Sequence, residues 1–409
     1  MTAQHRRAPS PRQQHRHRLI VRGVLVALTA AIGVGSWWFL AVASTPSKPT
    51  APGPKAQGQS VAPSATTTPR PTPTTASSAP LTLTASGPNR LAPDSKPSAL
   101  PGPILIADEA NDRLLIIDPR GRAMWQFPNP GDLAAGQSFK APDDAFFTPN
   151  GRQIVTTQED DNVILVIDVA THKIVYTYGK NGVPGSGPNR LHGPDGTVML
   201  PNGDILTPDI KNCRIILIPS GGHAISRQLG RTGTCVHRPP KTFGSPNGVF
   251  PMTNGHFLVT EADGSWVDEM DLSGRVAWSA QLPGVTYVYE SNEISPNRYL
   301  TVDHARPRQV LTFDRTGHVL WRYAPSGGRA LDRPSLAIPL PNGDFMVCDK
   351  ANHRVIVVDP RTDAIVWQYG HTQVAGSSPG YMNNPTGLDL YPPDSLLVRN
   401  GATTGAVTH

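Results

Sequence analysis

From residue 98 onward the chain alternates short apolar runs with polar turns, and the turns return at a nearly regular interval. A Pro-Asn-Gly turn or a close variant of it stands at Asn150-Gly151, Asn202-Gly203, Asn254-Gly255, Asn297-Arg298 and Asn342-Gly343. Asn-Gly readily takes the positive φ angles of a tight hairpin, so each of these turns should join two antiparallel strands. The run after each turn closes on a polar or acidic residue: Ile205 to Asp209, Phe257 to Glu261, Tyr299 to Asp303, Phe345 to Asp349. A second run follows, as in Arg214 to Ile218 or Arg354 to Asp359. A third carries an aromatic residue: Trp125, Tyr176, Trp278, Trp321 or Trp367. Units of 43 to 52 residues built this way predict four-stranded meanders, each the size of one propeller blade.

Five complete units occupy residues 142–376. The stretch 103–128 supplies three outer strands of a sixth but has no inner strand before it. That strand is read instead at Thr386 to Tyr391, near the other end of the repeat region. Closing one blade with strands from both ends removes free sheet edges. The prediction is an all-β, six-bladed β-propeller over residues 98–398, with residues 399–409 a disordered tail lacking periodicity.

The first hundred residues have a different character. Gly23 to Ala43 is apolar and uncharged, long enough to cross a bilayer as a helix. Arg6, Arg7, Arg12, Arg16, Arg18 and Arg22 precede it and no acid does, which places residues 1–22 in the cytoplasm and the remainder outside. Trp37 and Trp38 stand near the outer end, where aromatic rings favour the interface. The rival reading is a signal peptide cleaved near Ala43, after the small-x-small Ala41-Val42-Ala43, with the protein secreted. Residues 44–97 are rich in Pro, Thr, Ser and Ala, too poor in large apolar side chains to offset ordering entropy, and are predicted to be a disordered linker. The net charge of +6 belongs to this region, which holds eleven basic residues and one acid; the propeller is mildly acidic, so no nucleic-acid partner is expected.

The repeats also carry a family resemblance. GDFMVCDKANHRVIVVD (343–359) resembles an NHL repeat, with Asp349 followed by Asn352-His353-Arg354, and ILIADEANDRLLIID (104–118) resembles one through Asp108 and Asn111-Asp112-Arg113. GDILTPDIKNCRIILI (203–218) is a third match, whereas the blades ending on Glu261 and Asp303 lack the Asn-x-Arg. The resemblance implies a propeller scaffold of the kind found in protein and RNA binders, sensors and lyases. It also implies that the acid closing each second strand ties down the following turn. The Trp-bearing blade ends look like those of quinoprotein propellers as well, which makes a quinone-dependent oxidoreductase one reading.

Counting seven residues back from each turn reaches the start of the innermost strand, at Asp143, Asp195, Asn247, Glu290 and Ser335, with Thr386 in the closing blade. In a propeller these positions converge on the mouth of the central channel and form a candidate ligand-binding ring. Asp, Glu and Asn there are hard oxygen donors suited to Ca²⁺ or Mg²⁺. Gly193-Pro194-Asp195-Gly196 and Ser245-Pro246-Asn247-Gly248 are similar to blade starts of calcium-dependent, gluconolactonase-type propellers. That resemblance implies Asp195, Asn247 and Glu290 as metal ligands, with Asp143 a fourth. The alternative is that these residues only cap strands and turns. His192 and His304 are the candidate general bases.

The long connections 180–194, 231–246 and 371–385 enter the same face and bring Arg190, His192, Arg231, His237, Arg238, Tyr381 and Asn383 to the channel rim. Cys213 and Cys235 fall at one end of a blade, where a disulfide would close the intervening loop; Cys348 lies in an apolar run and is expected to be a buried thiol. The function expected first is a membrane-tethered, extracytoplasmic module that binds a protein, a glycan or a small polar ligand. A divalent-metal-dependent hydrolase or lyase working at the channel mouth is the alternative.

Overall fold

The computed structural model describes residues 82–391. The basic tail 1–22, the apolar segment 23–43 with its cleavage site, most of the linker and the tail 399–409 lie outside the described residues. Among the described residues no helix is long and apolar enough to cross a membrane.

Six four-stranded antiparallel sheets make up the domain. Blade 1 is closed as the repeats predict: Pro385–Leu390 is its inner strand, followed outward by Ile104–Asp108, Arg113–Ile117 and Ala123–Phe127. The inner strands of blades 2 to 6 are Ala145–Phe147, Val198–Met199, Pro246–Pro251, Val288–Ser295 and Pro334–Pro339. Each hairpin turn falls where Asn-Gly or its variant stands, and Gly151, Gly203, Gly255 and Gly343 all have positive φ.

Burial follows strand position. Second and third strands sit between neighbouring blades and are apolar on both faces; Ile104–Asp108 and Phe345–Asp349 are buried throughout. Outer strands face solvent on one side and alternate, as Val319–Tyr323 does. At four of the junctions an aromatic residue of the outer strand stitches one blade to the next. The Trp125 indole donates to Val169 O at 2.9 Å, the Tyr176 hydroxyl to Gly222 O at 2.5 Å, and the Trp321 and Trp367 indoles to Asp363 Oδ1 and Pro119 O at 3.0 and 2.9 Å. Each ring thus contributes buried apolar area at a blade junction while its polar atom is satisfied.

One boundary is corrected. Residues 44–97 were read as linker to the last residue, yet the end of that stretch is docked on the propeller. Ser86 bridges Ala123, Leu91 bridges Tyr369, and the Lys96 amide donates to Val366 O at 2.8 Å. These are mostly backbone bonds to the outer edges of blades 1 and 6. Leu83 and Leu91 also pack against the core, but two isolated leucines form no period that composition would reveal.

Candidate metal centre

The acids that close the second strands hold the loops on one face. Asp209 accepts the His192 amide at 2.7 Å through Oδ1, and through Oδ2 it accepts Asn212 Nδ2 and Arg214 Nε, both at 2.8 Å. Asn212 and Arg214 then reach Gly185 O and Ser186 O of the 180–194 loop. Asp108 repeats this with Asn383, Asn111 and Arg113, whose Nη1 and Nη2 reach Ser377 O and Tyr381 O in the 371–385 loop. Asp349 does so with Asp332, Asn352 and Arg354. Blade 5 substitutes Gln309 for the arginine, and in blade 2 Gln158 takes the acid's place by accepting the Lys140 amide. The carboxylate therefore grips the loop that enters the blade as well as the turn that follows. The strand-end residue thus ties the loops of this face to the blades.

Inside that face the six inner-strand starts are all buried, with Asp143 the most exposed at 5%. They divide into two groups. Ser335, Thr386 and Asp143 form a hydrogen-bonded arc: Ser335 Oγ donates to Thr386 O at 2.9 Å, and Thr386 Oγ1 donates to Asp143 O. The Asp143 carboxylate lies 4.0 Å from Lys350 Nζ, which also pairs with Glu109 at 2.7 Å. Burial, moderated by Lys350, moves the Asp143 carboxyl up to about 7.

Asp195 and Glu290 belong to the second group, and the third carboxylate beside them is Asp144, which counting by sevens passes over. One oxygen from each of Asp144, Asp195 and Glu290 lies within 4.8 Å of the others. Asp144 occupies the place that Gly196, Gly248 and Gly387 hold in the other Pro-x-Gly blade starts. There the neighbouring inner strands approach so closely that a Cβ at Gly196 would stand 2.6 Å from Glu290 Oε1. A side chain at the glycine position therefore enters the channel itself, and that departure from Pro-x-Gly was the readable signal. Register shifts flank Asn247 and Glu290, as bulges that re-aim a side chain do.

The polar atoms of this group lack donors. Asp144 Oδ2, Asp195 Oδ1 and both Glu290 oxygens are buried without a hydrogen-bond partner, as is Asn247 Oδ1, whose Nδ2 donates to Val288 O at 3.3 Å. One donor reaches in: the Tyr289 hydroxyl, 3.0 Å from Asp195 Oδ2. Among the described residues no basic side chain pairs with these three carboxylates. Burial first, and then one another's charge, hold the carboxyls of Asp144, Asp195 and Glu290 well above the ordinary range. An all-oxygen set of three carboxylates fits a hard cation such as Ca²⁺. The carboxylate cluster thus brings together Asp195 and Glu290 of the four residues expected as ligands, adds Asp144, and leaves Asp143 beside Lys350.

His304 stacks on Tyr289 with ring centroids 5.3 Å apart, its Nδ1 is 3.2 Å from Pro334 O, and burial lowers its pKa to about 4. His192 precedes Asp195 by three residues and is held through its backbone. The rim side chains are partly committed: Tyr381 stacks on His371, and Asn383 is tied through its amide to Asp108. The expected disulfide joins Cys213 to Cys235, and Cys348 is a buried free thiol. A cleft of about 560 Å³ opens at the other end of blades 4 and 5, lined by residues including Asn254, Glu269, Trp278 and Arg315. Its acids are satisfied: Glu269 accepts from Asn254 and Trp278, and Glu293 from Thr253. The cleft thus offers no counterpart to the unpartnered carboxylate oxygens of the channel.

The family described as "Outer membrane protein assembly factor BamB" matches residues 211–380, from blade 3 to the loop before the closing strand. Similar solved structures include a protein of unknown function from Bacteroides caccae, 14% identical with a TM-score of 0.49, covering 70% of this chain and 98% of that one. A streptogramin B lyase is 15% identical, with a TM-score of 0.48 and coverage of 76% and 92%. Hydrazine synthase of Kuenenia stuttgartiensis is 14% identical, with a TM-score of 0.45 and coverage of 68% and 77%. No curated protein matches the chain. The chain resembles propeller proteins, and the resemblance is one of fold.

Proposed function

We propose that the protein is an extracytoplasmic, membrane-tethered binding propeller whose channel holds a divalent cation of the Ca²⁺ type between Asp144, Asp195 and Glu290. The observation that carries the cation is the set of buried, donor-less oxygens on those three residues. Left alone, such a set costs desolvation and mutual repulsion, whereas a cation converts both into attraction. Asn247 is the neutral donor nearest in sequence pattern to the set. The outward orientation rests on the apolar stretch Gly23 to Ala43 and the arginines before it.

Binding is favoured over turnover because a catalytic metal needs a coordination position that substrate can reach. Asp144, Asp195 and Glu290 are at most 2% exposed. A cation at that depth would tie together the inner-strand starts of blades 2, 3 and 5 and leave recognition to the rim loops, which the strand-end network tethers. A glycan, a small polar ligand or a protein segment would meet Arg190, Arg231 and Arg238 there.

The hydrolase or lyase reading keeps one observation of its own. His304, kept neutral by burial, stacks on Tyr289, whose hydroxyl reaches Asp195, so a base and a proton relay lie beside the cation set. The test is Ca²⁺ titration of the full-length chain by calorimetry, alongside Asp195→Asn and Glu290→Gln, followed by a lactone and ester screen. Calcium binding lost in both variants, with no turnover, supports the binding reading. Turnover lost with His304→Gln supports the enzyme. Calcium binding that is absent, or unchanged in the variants, overturns the site.

A further inference from the structure

Blade 4 departs from the strand-end pattern in a way that the channel site does not use. Its second strand closes on Glu261, the counterpart of Asp209 and Asp349, and Glu261 accepts the Gly244 amide of the entering loop as those residues accept theirs. Five residues on, where blades 1, 3 and 6 place Arg113, Arg214 and Arg354, blade 4 has Trp266. The arginine charge is missing. In addition, the middle of the next strand carries Asp268, at a position that is Ile216 in blade 3 and Ile356 in blade 6.

Glu261 and Asp268 are both fully buried. Neither carboxylate oxygen of Asp268 has a hydrogen-bond partner. Facing them is His237, from the 231–246 loop, with Nδ1 2.9 Å from Glu261 Oε1. Its ring lies flat on the Trp266 indole at 3.9 Å and 7°, and its Nε2 is 3.3 Å from Ser279 Oγ. One donor atom from each of His237, Glu261 and Asp268 lies within 4.8 Å of the others. The disulfide from Cys235 to Cys213 fixes the loop two residues before His237.

We propose that His237, Glu261 and Asp268 form a second metal site, for a first-row transition ion such as Zn²⁺, which clamps the 231–246 loop to blade 4. Its donor set of one imidazole nitrogen and two carboxylates differs from the all-oxygen channel set, and the imidazole selects for zinc-like ions over calcium. Three protein ligands leave a fourth position, and the side toward His237, which is 20% exposed, is where a water or a partner's donor atom would enter. The ion takes over the task that arginine performs in blades 1, 3 and 6: it balances the strand-end carboxylate and holds the incoming loop. The site is independent of the channel reading, since it shares no residue with it.

The experiment uses the full-length chain stripped with a chelator and dialysed. Zinc stoichiometry and affinity are measured by competition with a chromophoric chelator, in wild type, Asp268→Asn, His237→Gln and Asp144→Asn. Trypsin cleavage at Arg231 and Lys241, both exposed, is followed with and without zinc. Wild type and Asp144→Asn should each bind one zinc that both blade 4 variants lose, with at least a tenfold fall in affinity. Zinc should slow loop cleavage several-fold only where the site is intact. If Asp268→Asn fails to fold, His237→Gln on the loop still decides the matter. Zinc binding that survives both substitutions, or no zinc binding in wild type, overturns the proposal and assigns Glu261 and Asp268 to a shared proton. Loss of zinc binding in Asp144→Asn alone assigns the ion to the channel and equally overturns it.

Discussion

Replacing Asp144 by asparagine should reverse in sign according to whether calcium is present. Three carboxylates whose oxygens lie within 4.8 Å repel one another. At that distance and an effective dielectric of 20, each fully ionised pair costs about 3.5 kcal/mol. Protonation caps the cost, since burial and mutual charge already raise all three pKa values. Removing one member should therefore stabilise the calcium-free protein by about 1–3 kcal/mol, less than the repulsion of one fully ionised pair. With calcium the balance inverts. At a hundred times its Kd, calcium contributes about 2.7 kcal/mol to wild type; a variant binding a hundredfold more weakly gains only about 0.4 kcal/mol at the same concentration. Urea unfolding followed by tryptophan fluorescence, in chelator and in excess calcium, reads both numbers. The reasoning fails if Asp144→Asn is less stable than wild type in chelator and calcium moves neither protein.

Further outcomes follow from the fold. Arg214, 2% exposed and bonded to Asp209, should cost about 3–5 kcal/mol when changed to Met, part of it recovered in the double variant with Asp209→Asn. Arg275→Met, whose partner is Asp271 at an exposed site, should leave the urea midpoint essentially unchanged. His304 has its pKa lowered to about 4, so the unfolded chain binds the extra proton. Stability should rise with pH between about 4 and 6.5 and be lost as pH falls through that window, by at most about 3 kcal/mol, and His304→Gln should flatten the slope. Cys213 and Cys235, 22 residues apart, close a loop whose opening by Cys213→Ser with Cys235→Ser should cost about 3 kcal/mol in the urea midpoint.

The repeat was legible because its signals are local. Asn-Gly fixes the hairpin, apolar alternation fixes the strand, and the distance between turns fixes the blade, so even the split of blade 1 between Ile104–Asp108 and Pro385–Leu390 could be read. The channel residues were legible to within one position. Counting from the turns found Asp195 and Glu290, but between Asp143 and Asp144 it selected the residue that faces Lys350. Asp144 stands where other blade starts carry glycine, and a count of residues from the turn does not record that difference. The docking of Ser86 to Lys96 escaped for another reason: it rests on backbone pairing and one isolated leucine, Leu91, which set up no apolar period. His237 was read as a rim residue. Its carboxylate partners come from two strands of another stretch of chain, and only the folded sheet brings them to it.

The split blade also sets an order of events during synthesis. The Asn383 amide meets Asp108 across 275 positions of sequence. Until the later partner is translated, Ile104–Asp108 presents an unpaired inner edge while five other sheets can already assemble. That edge is the part of the nascent chain most open to illicit pairing with a neighbour, and contacts of such long separation form slowly. A circular permutant that begins before Pro385 and links Tyr391 to the strand at Ile104 would make the sheet contiguous, and should refold faster and aggregate less at the same final stability.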